Sequence, residues 1–117
     1  MDKFMALYYY LPVYKASYDL LLTIFQLTKN FSREYKYTIG QDLKKLATEM
    51  VLNIYRANSK ADKQNIIQNA RENIEVIRLY IRLLKDLKQI NINKLAQINM
   101  LIESASKQLV GWHNSSR

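Results

Sequence analysis

The chain has no cysteine, a single proline (Pro12), a single histidine (His113), a single tryptophan (Trp112) and two glycines (Gly40 and Gly111) in 117 residues. Without cysteine there is no disulfide, no thiol nucleophile and no thiolate metal ligand, a usage that fits a reducing, cytoplasmic setting. One histidine, set in a polar terminal stretch that ends AsnSerSerArg, reads as a solvated residue rather than a general base or ligand. Two isolated glycines build no phosphate-cradling loop, and no Ser/His/Asp set can be assembled. Glu72 and Glu75 are three apart, but the Glu-x-x-His motif of di-iron bundles is missing. The sequence therefore predicts a protein that is not an enzyme, with no metal and no cofactor.

Long apolar runs are also scarce. The N-terminal run from Phe4 to Leu11 lacks a basic leader and a small-residue cleavage site, and it falls far short of the roughly 20 residues of a membrane span. It has no basic, polar face for a membrane surface either. The expectation is a soluble, cytoplasmic protein without a membrane partner. Tyr8, Tyr9 and Tyr10 read as an arm that packs on the bundle or on a neighbouring subunit. Consecutive residues of an extended segment point in different directions and make a poor platform for stacking bases.

What the chain does have is helical periodicity. From about residue 60 to residue 90 there is no glycine or proline, and Ile67, Ala70, Ile74, Ile77, Ile81 and Leu84 follow the alternating three- and four-residue step of a packed seam. A helix of roughly 31 residues would span about 45 Å, the longest in the chain. Val76, Leu79, Tyr80, Leu83, Leu87 and Ile90 widen the apolar surface of its second half, so something must cover that half as well.

The remaining helices follow from their start and stop signals. Pro12 suits a first turn, and Leu11, Tyr14, Tyr18, Leu21, Leu22 and Phe25 trace a helix to about residue 30. Thr38 and Gln41 form a capping box for a second helix, about 39–57, in which Gly40 marks a close approach by another backbone. Asn58 and Ser59 make a very short link, with Ser59 as N-cap of the long helix. After a second link at Asn91 to Asn93, a fourth helix, about 94–110, carries Leu95, Ile98, Ile102, Ala105 and Leu109 inward. It ends at Gly111, with Trp112 folding back in a Schellman motif. Short links reverse the direction each time. The predicted fold is all-α, an antiparallel up-down four-helix bundle forming a single domain over residues 1–117.

Charge is lopsided, with 18 Lys and Arg against 10 Asp and Glu, a net +8. That excess favours an acidic partner such as nucleic acid or an anionic membrane surface. Arg71, Arg78, Arg82 and Lys85 share one face of the long helix beside its seam, and Lys44, Lys45, Arg56 and Lys107 on the second and fourth helices add to the field. With no helix-turn-helix, RNA-recognition or zinc signature, these groups would contact phosphates rather than read bases. The plainer reading is a solvated face partly neutralised by Glu75 and Asp86.

Four stretches carry a resemblance: LeuProValTyrLysAlaSerTyrAspLeuLeu in the first helix, TyrThrIleGlyGln at the second, ArgLeuTyrIleArgLeuLeu from Arg78 to Leu84, and the closing LeuValGlyTrp. The chain resembles the four-helix bundle family related to ribosomal intervening-sequence proteins. Within it, the chain is most similar to the accessory variability determinants, Avd, of diversity-generating retroelements. The resemblance implies a basic, non-catalytic bundle that assembles as a homo-oligomer, a pentamer. It also implies association with the element's reverse transcriptase and binding of RNA or DNA during mutagenic copying of a template RNA. Arg78 and Arg82 match the paired arginines of the family's long helix and Trp112 its terminal Gly-Trp. The tail after Trp112 is less basic than in some members, so the other cations must carry any RNA contact. The alternative is an intervening-sequence-type bundle serving as a protein-interaction scaffold whose charge keeps it in solution.

Overall fold

The computed structural model describes residues 11–116; the arm at Tyr8, Tyr9 and Tyr10 lies outside the described residues. The elements are α1 (Pro12–Thr28), a single turn α2 (Arg33–Lys36), α3 (Ile39–Asn58), α4 (Gln64–Asp86) and α5 (Ile92–Ser115), with no strand among the described residues. α1 packs against α3 and α5, and α4 packs against the same two. The long helices thus stand at the corners of a square with α1 diagonal to α4. This is the all-α, antiparallel four-helix bundle that the spacing predicts.

The six seam residues of α4, Ile67, Ala70, Ile74, Ile77, Ile81 and Leu84, are the buried residues of that helix. Leu43, Ala47, Met50 and Ile54 of α3 and Ile98, Ile102, Ala105 and Leu109 of α5 meet them, also buried, while Leu95 is half-buried. Each set recurs at three and four residues, the step that keeps a side chain on one face of a helix. α1 departs from expectation. Its core stripe is Val13, Ser17, Leu20, Ile24 and Leu27, whereas the stripe read from the sequence lies beside it, with Tyr18, Leu22 and Phe25 left 45%, 46% and 41% exposed. α1 is apolar on two faces, and periodicity alone could not say which one the other helices would cover.

Helix ends differ from the sequence reading in a consistent way. α4 is shorter than predicted, 23 residues instead of about 31, and spans about 35 Å. Ser59 does not cap it. Ser59 closes α3 instead, its hydroxyl donating to the Arg56 carbonyl at 3.0 Å, and the link runs on to Lys63. Thr38 makes no capping box: its hydroxyl donates to the Glu34 carbonyl at 2.7 Å, within the turn that precedes α3. α5, not α4, is the longest helix, with 24 residues; it starts earlier than expected, capped by the Asn91 side chain accepting from the Lys94 N–H at 2.8 Å. It also continues straight through Gly111 and Trp112, and neither glycine has a positive φ. The Schellman closure placed at Trp112 therefore does not form there.

That closure forms at the end of α4. Lys88 has φ 59°, the Gln89 N–H donates to the Leu84 carbonyl and the Lys88 N–H to the Lys85 carbonyl, both at 2.9 Å. This is the paired 6→1 and 5→2 bonding of a Schellman motif built on a lysine. A side chain at left-handed φ is strained where glycine is not. Lys88→Gly is expected to stabilise the bundle by about 0.5–1 kcal/mol, raising Tm by roughly 2–8 °C in a thermal melt.

Gly40 behaves as predicted. A Cβ there would stand 3.1 Å from the Tyr35 carbonyl oxygen and 3.5 Å from the Phe31 ring, so the glycine lets the α2 turn close over the buried Phe31.

Candidate nucleic-acid interface

The basic face of α4 lies along its seam with α5. Arg78 pairs with Glu75 on its own helix at 3.4 Å and with Glu103 of α5, and the hydrogen bond to Glu103 holds its guanidinium even more firmly protonated than usual. Arg71 donates to Nδ1 of His113 at 3.3 Å, which keeps that ring nitrogen an acceptor, and Gln64 donates to the His113 carbonyl at 3.0 Å. His113 is thus a half-buried residue of α5, not part of a solvated tail. A groove of about 290 Å³ beside Arg71 is lined by Gln68, Arg71, Glu72, Glu75, Ser106 and Val110 among others, carboxylates alongside the arginine. No group of three or more His, Cys, Asp or Glu among the described residues is placed to hold a metal ion.

The eight candidate cations do not form one surface. Lys44 sits over the Phe25 ring at 5.5 Å, on the α1/α3 edge, the side of the bundle opposite the α4/α5 edge that holds Arg78. Arg56 pairs with Glu49 at 3.5 Å and donates to the Asn53 amide oxygen, while Lys107 is exposed on α5 beside Glu103. Of the paired arginines, Arg78 is tied to carboxylates, whereas exposed Arg82 makes no ion pair among the described residues. Glu75 neutralises its neighbour as the plainer reading requires, but no ion pair forms at Asp86 among the described residues.

A different grouping appears along the bundle axis. The Ser32 N–H donates to the Gln89 side chain at 2.7 Å, so the 29–38 and 87–91 connections meet at one end. The Asn53–Asn73 hydrogen bond at 2.9 Å fixes the α3/α4 register and sets Lys44 and Lys45 level with Arg82. Lys94 shares a depression with Asn30 at that same end. This end therefore gathers Lys29, Arg33, Lys36, Lys44, Lys45, Arg82, Lys85, Lys88 and Lys94 against Glu34, Asp42 and Asp86. The middle and the opposite end of the bundle have Lys15, Arg56, Lys60, Lys63, Arg71, Arg78 and Lys107 against Asp19, Glu49, Asp62, Glu72, Glu75 and Glu103. Every ion pair found among the described residues, Lys15–Asp19, Arg56–Glu49 and the two made by Arg78, belongs to that balanced remainder.

Helix dipoles explain part of the pattern. Lys29, Lys85 and Lys88 follow or close the C-termini of α1 and α4, where cations are favoured. Lys36, Lys44, Lys45 and Lys94 lie near the N-termini of α3 and α5, where they are not. The concentration of charge at this end exceeds what local helix electrostatics would place there.

Reading one helix face at a time found Arg82, Lys85, Lys44 and Lys45 but missed Lys29, Arg33, Lys36, Lys88 and Lys94. The signal was present in the topology: in an up-down bundle the first and third connections share an end. Two apolar faces are exposed on α1 and α4. One is Tyr18, Leu22 and Phe25 on α1; the other is Val76, Leu79 and Leu83 on α4, with Leu79 63% exposed. The second apolar face of α4 is therefore uncovered in the protomer at Val76, Leu79 and Leu83, whereas Tyr80 and Leu87 are half-buried and Ile90 is buried. No helix among the described residues is long and apolar enough to cross a membrane.

Fold and charge together define a cationic four-helix bundle with one end of strong positive excess and uncovered apolar flanks. The chain belongs to the bAvd-like family, whose model matches residues 12–116. No curated protein matches it.

Proposed function

We propose that the protein is a nucleic-acid-binding accessory subunit of a diversity-generating retroelement. In this reading it holds template RNA, or the DNA–RNA hybrid copied from it, through phosphate contacts at its basic end, and it associates with the reverse transcriptase that does the chemistry. The observation that carries the reading is the end with nine cations, three carboxylates and no ion pair among the described residues. Membership of the bAvd-like family supports the retroelement role and a non-catalytic one. Lys and Arg side chains without a carboxylate partner are suited to the sequence-tolerant neutralisation of phosphates. Fluorescence anisotropy with a structured RNA and a DNA–RNA hybrid tests it. Binding at low salt that is lost as salt rises is expected; no binding at low salt would leave a scaffold with protein partners only.

The exposed apolar face of α4 is assigned to contact between copies in a homo-oligomer, a pentamer by analogy with the family. Burial of a face at about 25 cal/mol per Å² gives association its drive. Leu79→Asp is expected to lower the mass seen by light scattering to that of the protomer while leaving the helical circular-dichroism signal unchanged. An unaltered mass would move the subunit contact elsewhere.

A further inference from the structure

The two exposed apolar faces end in charges of opposite sign. On α1, Lys15, Tyr18, Leu22, Phe25 and Lys29 recur at three and four residues, an apolar centre with a cation at either end. On α4, Glu72, Val76, Leu79, Leu83 and Asp86 recur in the same way, with a carboxylate at either end. Lys15 and Lys29 stand as far apart as Glu72 and Asp86, roughly 21 Å along the helix. All these residues are exposed, and each stripe lies on the side of its helix opposite the buried one. Lys29, Glu72 and Asp86 make no ion pair among the described residues, and Lys15 pairs with Asp19 of its own helix at 3.4 Å. Asp19 on α1 and Glu75 and Arg82 on α4 stand roughly 60–80° to the side of the stripes.

We infer that the α1 face of one copy packs on the α4 face of the next, with Leu22 against Leu79, Lys15 beside Glu72 and Lys29 beside Asp86. This rests on the assignment of the α4 face to contact between copies and names the surface it meets. Charge selects the pairing. Whichever way a two-fold axis runs, α4 on α4 sets carboxylate against carboxylate and α1 on α1 sets lysine against lysine, and like charges directly opposed are unfavourable. α1 on α4 opposes unlike charges at both ends. Direction agrees: α1 and α4 run the same way, because each link between long helices reverses the chain and α3 lies between them. Bundles standing side by side about an axis along their length therefore bring α1 and α4 together in parallel, as the pairing of Lys15 with Glu72 requires. α1 and α4 are diagonal in the protomer, so the two faces look outward on opposite sides. The contact is head-to-tail, the kind that closes into a ring, and it turns the basic ends of all copies to one rim.

Light scattering of the full-length protein over a dilution series in low salt tests the pairing, with circular dichroism as the check on folding. Leu22→Asp is expected to fall to the protomer mass, as is Leu79→Asp, with the helical signal unchanged. Lys29→Glu and Asp86→Lys, both at exposed positions, should each raise the concentration of half-dissociation by about tenfold. Together in one chain they should bring it back near the wild-type value, because every contact then holds the same pair reversed. A wild-type mass for Leu22→Asp beside a protomer mass for Leu79→Asp overturns the inference and leaves α4 meeting itself or another surface. Tighter assembly of Asp86→Lys, as an antiparallel α4 on α4 would give, overturns it, and so does a double variant that stays dissociated. A wild-type mass for Leu79→Asp would instead strike the assignment of the α4 face itself.

Discussion

Ile77→Asp is expected to unfold the bundle. Ile77 is fully buried at the middle of α4, the helix whose seam faces both α3 and α5. Truncating such a side chain costs about 2–5 kcal/mol through lost burial and the cavity left behind. An unpaired carboxylate in its place adds several kcal/mol of desolvation, unless it binds a proton and so lowers the penalty only in part. Small domains have about 5–15 kcal/mol in all, so the sum removes most or all of the stability. Circular dichroism should show little cooperative melting at 25 °C and above. Leu79→Asp places the same charge two residues along on the exposed side of the same helix and should leave the protomer folded. If both variants melted alike, the assignment of core and outer faces on α4 would be wrong.

Removing three cations from the basic end should weaken RNA binding by about two orders of magnitude near 0.1 M salt. Each phosphate contact contributes a slope of roughly 0.7–0.9 in log affinity against log salt, which is a factor of about 5–8 per contact for every decade of salt below 1 M. Arg82→Ala, Lys85→Ala and Lys88→Gly together should therefore flatten the slope by about 2–3. Arg82 and Lys85 are exposed and make no ion pair among the described residues, and Lys88→Gly relieves a strained φ, so the loss cannot be laid to unfolding. Lys15→Ala, Lys60→Ala and Lys107→Ala remove the same formal charge from outside the basic end and should change affinity only a few-fold. Equal losses from the two triples would mean that net charge alone governs binding and that the end has no special part in it.

The core of α4 was legible because its six buried residues keep an unbroken three- and four-residue step from Ile67 to Leu84, whereas Val76, Leu79 and Leu83 keep it over the second half alone, and the fold class followed from such steps and the links between them. The core stripe of α1 was not, because Tyr18, Leu22 and Phe25 keep as good a helical spacing as Leu20, Ile24 and Leu27, and only the neighbours that arrive decide between the two. Helix ends failed for a related reason. Ser59, Thr38 and Gly111 are residues that can cap, but each can also hydrogen-bond backwards or continue a helix, and the closing hydrogen bonds at Lys88 arise at a residue with no local preference for positive φ. The basic end escaped a reading made face by face because its members come from five segments of the chain. Only the antiparallel packing, with Ser32 against Gln89, brings them together. Arg78, which spacing made equivalent to Arg82, is separated from it by one acidic residue on the neighbouring helix, Glu103.

Lysine acetylation footprinting, read by mass spectrometry with and without a structured RNA, tests the basic end most directly as the contact surface. Bound RNA should protect Lys29, Lys36, Lys44, Lys45, Lys85, Lys88 and Lys94, while Lys15, Lys60, Lys63 and Lys107 stay as reactive as in the free protein. Protection spread evenly over both groups, or confined to the second, would contradict the account.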